Sequence, residues 1–152
     1  MAYSGFITYG NGELFVTKPS WFNYETTIAS IREFIAAANL KRGEKIILVM
    51  DNAPWHKKTM RLVETEMLPE YSDIRESVTF IMFPPYSPDL NPIEQVWRIT
   101  RREMTHNRYF PSRIDLEKKL DAYYSQYRKP NAKLASLCSF KSFRDEQVPV
   151  PV

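Results

Sequence analysis

Two carboxylates, Asp51 and Glu94, have the residue type and the setting that metal-assisted chemistry needs. Asp51 directly follows an apolar run, and Glu94 follows a segment rich in proline. Two acids brought together on stiff elements repel each other unless a cation joins them. Mg²⁺ or Mn²⁺ binds carboxylate oxygens, and Mg²⁺ keeps several waters when it does. We therefore expect Asp51 and Glu94 to be catalytic residues and metal ligands.

Each carboxylate also has a purely structural interpretation. Asp51 or Asn52 can form a local turn between its side chain and the backbone. Glu94 can bond back to the Asn91 N–H in a capping box, or pair with Arg98 one helical turn later. Neither motif decides the matter alone, and the combination of the two motifs favours the metal site.

The residues before and after Asp51 predict the elements that position it. The run KIILVMD, 45–51, is continuous and rich in β-branched residues, which is typical of a strand covered on both faces, and SVTFIMF, 77–83, is similar. A helix over 57–68 between them predicts a right-handed parallel crossover. Catalytic groups of such sheets collect at the carboxyl ends of the strands. The apolar face predicted for this helix consists of Met60, Val63 and Met67.

The proline-rich segment predicts how Glu94 is held. Four prolines restrict the backbone between the second strand and a helix expected from about Pro92 to Thr105. Asn91 is then the N-cap and Pro92 the first helical residue. The positive partial charge of the first helical turn helps to keep Glu94 ionised.

The remaining segments complete a mixed α/β layer fold. Two short strands flank Asn11-Gly12, a hairpin signal, and a helix starts after the N-cap Asn23. The last helix starts after Ser112. We expect a domain over 1–145 and a flexible tail over 146–152. The apolar face predicted for the first helix consists of Ile28, Ile31, Phe34, Ile35 and Ala38. The stripe predicted for the last helix consists of Leu116, Leu120, Tyr123, Tyr124 and Tyr127. Such a stripe more often belongs to the core than to a surface that stacks nucleobases.

Composition limits the class of protein. A hydrophobic content of 43% indicates a packed globular chain, and a formal charge of +3 is compatible with a nucleic-acid partner. The single cysteine, Cys138, fits a reducing compartment and a buried apolar role. No apolar run approaches the roughly 20 residues that span a membrane. We expect a cytoplasmic, nucleoid-associated protein without a membrane partner.

Taken together, DNAPWH at 51–56 and PPYSPDLNPIEQVW at 84–97 resemble the mariner-like superfamily of DDE transposases, which includes insertion-sequence transposases. The resemblance covers residues 1 to about 108 and implies an RNase H-like mixed sheet flanked by helices. Asp51 is similar to the second catalytic aspartate of that family, and Glu94 to its third acid. The positions that match supporting residues are Asn52, His56, Tyr86, Asn91 and Trp97.

The resemblance implies DNA strand cleavage and strand transfer by metal-dependent in-line phosphoryl transfer. Two Mg²⁺ ions held by three acids would clamp the attacking and leaving oxygens. Water first cuts the end of the element, and the released 3′-OH then attacks target DNA. His56 can orient a ligand or water or be a structural histidine. Arg98, Arg101 and Arg102 can contact DNA phosphates or form a solvated basic face.

One feature departs from the family pattern. The first aspartate of the family lies on a strand before the hairpin, and here no aspartate precedes Asp51. We therefore expect an incomplete catalytic domain without its first strand and without a helix-turn-helix region. We expect weak or no Mg²⁺-dependent cleavage, and a homodimer formed through an unpaired strand edge. The alternatives are an inactive remnant that only binds DNA or dimerises, and an RNase H-like nuclease unrelated to transposition.

Overall fold

The computed structural model describes residues 2–138. The chain forms two compact units: the first comprises Met1–Gly5 and Val16–Asn91, and the second comprises Phe6–Phe15 and Pro92–Val152. The single domain expected over 1–145 stays a prediction. The tail expected over 146–152 lies outside the described residues.

The predicted hairpin is confirmed, with a longer loop than its Asn-Gly signal suggests. Strands β1 (Ser4–Ile7) and β2 (Leu14–Thr17) pair as a two-stranded sheet. Gly12 has a φ of +73°, and a Cβ at this position would clash with the backbone nitrogen of Ala135. Glycine is needed here for both its backbone conformation and its lack of a side chain.

Helix α1 (Tyr24–Ala38) begins where the sequence predicts. The Asn23 Oδ1 accepts a hydrogen bond from the Thr26 N–H at 2.8 Å, and the Thr26 Oγ1 accepts one from the Asn23 N–H at 3.1 Å, which forms a capping box. Ile28 and Ile31 are buried as expected. Ala38 is exposed, contrary to expectation, because it lies in the last turn, where the chain leaves the helix.

The predicted parallel crossover is present in the first unit. Strands β3 (Ile46–Met50) and β4 (Val78–Met82) pair in parallel, in a register from Ile46 opposite Val78 to Met50 opposite Met82. Helix α2 (Pro54–Met60) follows β3, and helix α3 (Ser72–Ser77) leads into β4.

The expectation that these strands are covered on both faces is wrong. Ile47, Val49 and Ile81 are 66%, 42% and 48% exposed, whereas Met50, Val78 and Phe80 are buried. Side chains alternate between the two faces of a strand. Among residues 2–138, therefore, only one face of the β3–β4 sheet is covered.

The apolar face predicted for the helix after Asp51 is only partly correct. Helix α2 continues as a wider π-helical segment over Arg61–Thr65, in which the Glu66 N–H donates to the Arg61 carbonyl at 2.7 Å. Val63 is fully buried and Met60 is half-buried. Met67 is exposed, because it has a left-handed backbone (φ +50°) beyond the end of the helix.

The second unit contains α4 (Pro92–Thr100), α5 (Arg113–Ser125) and α6 (Ala132–Ala135). A π-helical segment, Arg101–Thr105, extends α4 to the predicted end of the helix. The Ser112 Oγ caps α5 by accepting a hydrogen bond from the Asp115 N–H at 3.2 Å. The predicted core role of the α5 stripe is confirmed at its buried members, Leu120, Tyr123 and Tyr124.

The fold class is mixed α/β. The strands of residues 2–138 form two separate two-stranded sheets, β1–β2 and β3–β4. Cys138 is buried, as expected, and burial raises the pKa of its thiol. No helix in the described part of the chain is long and apolar enough to cross a membrane.

Candidate metal centre

Asp51 lies at the carboxyl end of β3, at a point where two strand ends are tied together. The Phe83 N–H donates to the Met50 carbonyl at 2.8 Å, which extends the β3–β4 pairing past both strands. The Asn52 Nδ2 donates to the Phe83 carbonyl at 2.6 Å. These two bonds fix the start of the proline-rich segment beside Asp51.

One oxygen of the Asp51 carboxylate carries all of its hydrogen bonds. The His56 Nδ1 lies 2.6 Å from the Asp51 Oδ1, and the Ala53 N–H donates to the same oxygen at 3.0 Å. The bond from Ala53 is the local turn that the sequence allows. The other oxygen, Oδ2, forms no hydrogen bond to any residue of 2–138. The local turn therefore leaves a ligand position available.

The surroundings of Asp51 keep it ionised. The hydrogen bond from His56 lowers the pKa of Asp51, partial burial opposes this effect, and the Ala53 N–H adds to it. An ionised carboxylate only accepts hydrogen bonds, so the His56 Nδ1 carries the proton of the shared bond. The Asp51 side chain is 46% exposed, which leaves access for a hydrated ion.

A cleft of about 180 Å³ opens beside Asp51. Since a water molecule takes up about 30 Å³ of liquid volume, the cleft has room for a cation and several waters. One wall of the cleft is the proline-rich segment over 84–91, which includes a short 3₁₀ turn over Pro88–Leu90. The residues that line the cleft are Asp51, Asn52, Phe83, Pro84, Tyr86, Ser87, Pro88 and Asn91.

Two predicted supporting residues lie on this wall with contrasting exposure. Tyr86 is fully exposed and has a left-handed backbone, with φ +57°, an uncommon conformation for a residue other than glycine. Asn91 is buried and extended, as a residue before proline should be. The Asn91 N–H donates to the Pro88 carbonyl at 3.2 Å.

The remaining predicted site residues belong to the second unit. Glu94 is half-buried in the first turn of α4, as predicted, and Trp97 packs edge-on against Tyr124 at 5.7 Å. The three arginines proposed as DNA contacts, Arg98, Arg101 and Arg102, are all exposed.

The structure brings Asp51 together with Asn52, His56, Tyr86 and Asn91 in the first unit. That Asp51 and Glu94 share an ion stays a prediction.

One feature of the candidate site fits a hard cation: the carboxylate of Asp51. Mg²⁺ is commonly bound by one or two carboxylates together with waters and substrate phosphates, and Asp51 offers one ionised carboxylate with an open oxygen. Within residues 2–138, no three side chains of His, Cys, Asp or Glu form a group that could hold a metal ion. Waters and phosphate oxygens would have to complete the coordination around Asp51.

A row of aromatic rings beside Asp51 was not singled out from the sequence. Phe22 stacks on Trp55 with ring centroids 5.8 Å apart and planes at 14°, and Trp55 meets the His56 ring edge-on at 6.0 Å. The sequence signal was available in SWFNYE, where two large aromatics precede α1 among polar residues. Through Trp55, the row links the ring of His56 to Phe22, a residue that directly precedes the N-cap of α1.

Comparison with known proteins gives two matches. Residues 1–117 match a family described as DDE superfamily endonuclease. The chain is similar to the uncharacterized protein y4pE/y4sA of Sinorhizobium fredii (strain NBRC 101917 / NGR234), with 31% identity over 74 residues. That match covers 49% of this chain and 47% of the relative, so the chain spans about half the length of the curated protein it matches. No solved structure matches the chain significantly.

Proposed function

The chain belongs to the DDE superfamily endonuclease family, and from this premise we propose that it acts in DNA strand cleavage and strand transfer. The reaction is in-line phosphoryl transfer with Mg²⁺ or Mn²⁺ as cofactor. The partners are the ends of a mobile element and target DNA. We propose an RNase H-like arrangement of one catalytic domain over residues 1–145, in a cytoplasmic, nucleoid-associated protein.

The observation that carries this proposal is the state of the Asp51 carboxylate. It is ionised, it is fixed at a strand end through Oδ1, and its Oδ2 faces no partner among residues 2–138. A carboxylate whose two oxygens both accept hydrogen bonds from the protein has fewer acceptor sites left for a cation. Asp51 instead has the one-sided support that orients a metal ligand.

Each residue of the site has a distinct proposed role. A bound divalent cation stabilises charge on phosphate oxygens and lowers the pKa of water. Asp51 and Glu94 bind the cation, and His56 orients Asp51 by donating through Nδ1. Asn52 fixes the proline-rich wall that carries Tyr86 and Asn91. The exposed Arg98, Arg101 and Arg102 contact DNA phosphates.

A double-mutant cycle tests whether Asp51 and Glu94 hold the same ion. We would measure Mn²⁺ binding by electron paramagnetic resonance for Asp51→Asn, Glu94→Gln and the double variant. Each single substitution should weaken binding by about tenfold or more. The double variant should bind little worse than either, because the first substitution already removes the shared site.

The matched control for this cycle is Glu103→Gln, since the structure engages both oxygens of Glu103 with other residues. It should bind Mn²⁺ as the wild type does. If Glu94→Gln binds Mn²⁺ normally while Asp51→Asn loses most of its binding, Glu94 is not a ligand of the ion.

The alternative is a remnant that binds DNA or dimerises without cleaving it. We propose self-association through the exposed apolar face of Ile47, Val49 and Ile81, since a contiguous apolar patch favours a protein contact. Ile81→Lys should shift the sedimentation coefficient towards the monomer. Ile114→Lys, at a more exposed isoleucine of α5, should not. A wild-type chain that sediments as a monomer at high concentration would contradict self-association.

A nicking assay separates the enzyme from the remnant. Because no aspartate precedes Asp51, the purified chain alone should show weak or no Mg²⁺-dependent cleavage. Robust nicking that Asp51→Ala abolishes would show that the chain is a complete enzyme with a further acid in its site.

A further inference from the structure

Two exposed aromatic side chains precede α1 in the first unit. Trp21 is 66% and Phe22 is 46% exposed. Their backbone is nevertheless fixed, because the Thr26 hydroxyl donates to the Trp21 carbonyl at 2.8 Å while Thr26 also closes the cap of α1. Large apolar rings held rigidly in solvent mark a binding surface more often than a packing defect.

One of these rings, Phe22, is connected to the candidate metal centre by a series of contacts. Phe22 stacks on Trp55 with planes at 14°, and Trp55 meets His56 edge-on. His56 in turn bonds to Asp51 at 2.6 Å. We call Trp21, Phe22 and Trp55 the aromatic platform. The platform is thus linked through His56 to the carboxylate proposed as a metal ligand.

Positive charge borders the platform. Lys57 and Lys58 are exposed on α2, the helix that carries Trp55. The Lys58 Nζ lies 4.0 Å from the centroid of the Tyr24 ring, a cation–π contact that holds this charge next to the start of α1. Glu25, which accepts a hydrogen bond from the Tyr24 hydroxyl at 3.2 Å, and Glu70, whose charge also acts on Tyr24, are acids at this border. Exposed aromatics beside lysines suit a ligand with flat rings and an anionic backbone.

We propose that the aromatic platform stacks unpaired nucleobases at a DNA strand end, while Lys57 and Lys58 contact the adjoining phosphates. Stacking of a base on an aromatic side chain contributes about 1–3 kcal/mol and tolerates any base. Bases inside a duplex are already stacked and paired, so the platform distinguishes frayed or single-stranded ends from intact duplex. This inference rests on the proposed function, because it presumes that DNA is the substrate.

The test compares two DNA probes on the full chain. One is a fluorescently labelled blunt duplex, and the other is the same duplex with a short single-stranded overhang containing 2-aminopurine. The wild type should bind the overhang probe more tightly and quench 2-aminopurine by stacking. Trp21→Ala should weaken overhang binding about fivefold or more, which corresponds to the lower limit of the stacking range, and should leave blunt-duplex binding within about twofold.

Two variants control this measurement. Trp21→Phe keeps a flat ring and should retain most of the overhang preference. Tyr109→Ala removes an even more exposed aromatic from the second unit and should change the binding of neither probe. Trp21 is the primary target because it is more exposed than Phe22, whose ring packs on Trp55. Thermal denaturation of Trp21→Ala should match that of the wild type.

The outcomes separate this inference from the proposed function. If the wild type binds both probes equally and Trp21→Ala changes neither, DNA binding stands and the platform is overturned. An equal loss on both probes also overturns it, since stacking of unpaired bases is then not the cause. A wild type that binds neither probe overturns both proposals. Altered sedimentation of Trp21→Ala with unchanged DNA binding would assign Trp21 to a protein contact instead.

Discussion

Asp51 in the first unit and Glu103 in the second are both carboxylates with a lowered pKa, but they are held in different ways. Lys133 donates to both oxygens of Glu103, at 2.8 and 2.9 Å, and the Tyr123 hydroxyl donates to one of them at 2.9 Å. Asp51 receives its two hydrogen bonds on one oxygen. The pKa is therefore lowered both in a carboxylate that is bonded through its two oxygens and in one that is bonded through a single oxygen.

The difference is consistent with a structural role for Glu103 and with the ligand role proposed for Asp51. Glu103 connects three elements, since it lies in the extension of α4, Tyr123 lies in α5 and Lys133 in α6. Both of its oxygens already accept hydrogen bonds. Asp51 is oriented by a histidine and a backbone N–H, and its other oxygen accepts no hydrogen bond within residues 2–138. A lowered pKa alone therefore does not distinguish the two carboxylates, whereas the distribution of their hydrogen bonds does.

The largest expected effect is on metal-dependent stability. Mn²⁺ at a hundred times its dissociation constant should stabilise the folded chain by about 2.7 kcal/mol, or about 5–10 °C in Tm for a chain of this size. Asp51→Asn should abolish that rise because the ligand oxygen loses its charge. Glu103→Gln should keep it. Calorimetric scans with and without Mn²⁺ measure both, and a full rise in Asp51→Asn would show that the ion binds elsewhere.

A smaller effect is expected from His56→Ala, which removes the support of Asp51 and leaves the carboxylate in place. Loss of such a partner weakens metal binding by about 10–100-fold. The pKa of Asp51 should rise, since the hydrogen bond from His56 is the main cause of its lowering. Carbon-13 titration of the Asp51 carboxyl group without metal measures the rise, and an unchanged pKa would contradict the orienting role.

The lowered pKa of Asp51 determines the pH range in which its contributions to stability and to Mn²⁺ binding are lost. The Asp51–His56 bond stabilises the fold fully above the ordinary carboxyl pKa, and this contribution is lost as the pH falls through the lowered value of the folded state. In wild type, Mn²⁺ binding should therefore weaken only at acidic pH. In His56→Ala that loss should begin at a higher pH, which the same titration with Mn²⁺ would detect.

Glu103→Gln should have the opposite phenotype: reduced stability with intact metal binding. Loss of the charged contact with Lys133 should cost about 1 kcal/mol at these partly exposed side chains, or about 2–4 °C in Tm. Lys133 lowers the pKa of Glu103, so the stabilisation is present above the ordinary carboxyl pKa and fades as the pH falls through the lowered value. Equal Tm values for variant and wild type at neutral pH would contradict this role.

Local sequence signals located the starts of three helices, because the interactions that set them are local. Asn23 and Ser112 cap their helices through bonds to residues three positions away. Pro92 opens α4 as its fixed backbone torsion requires. The apolar runs at 45–51 and 77–83 also indicated both parallel strands, whereas the start of α2 and the short helix α3 were not predicted.

Packing faces and the chemistry of the site were less predictable, because they depend on contacts between distant residues. Ile47 and Val49 have the composition of a fully covered strand, and only the placement of neighbouring helices decides that one face stays exposed. The two roles left open for His56 could be narrowed only by seeing its ring bond to one oxygen of Asp51. The Phe22–Trp55 stack joins residues far apart in the chain, and no short motif encodes such a contact.

The smallest expected effect concerns the proline-rich segment that lines the cleft beside Asp51. Asn52→Ala removes the bond to the Phe83 carbonyl and should cost about 0.5–1.5 kcal/mol, the usual contribution of one hydrogen bond. Because Asn52 ties the first residue of the wall, amide hydrogen exchange should accelerate over 84–91. The Glu103 region should exchange as before. Unchanged exchange over 84–91 would mean that the prolines alone fix this segment and that the bond from Asn52 adds little to its stability.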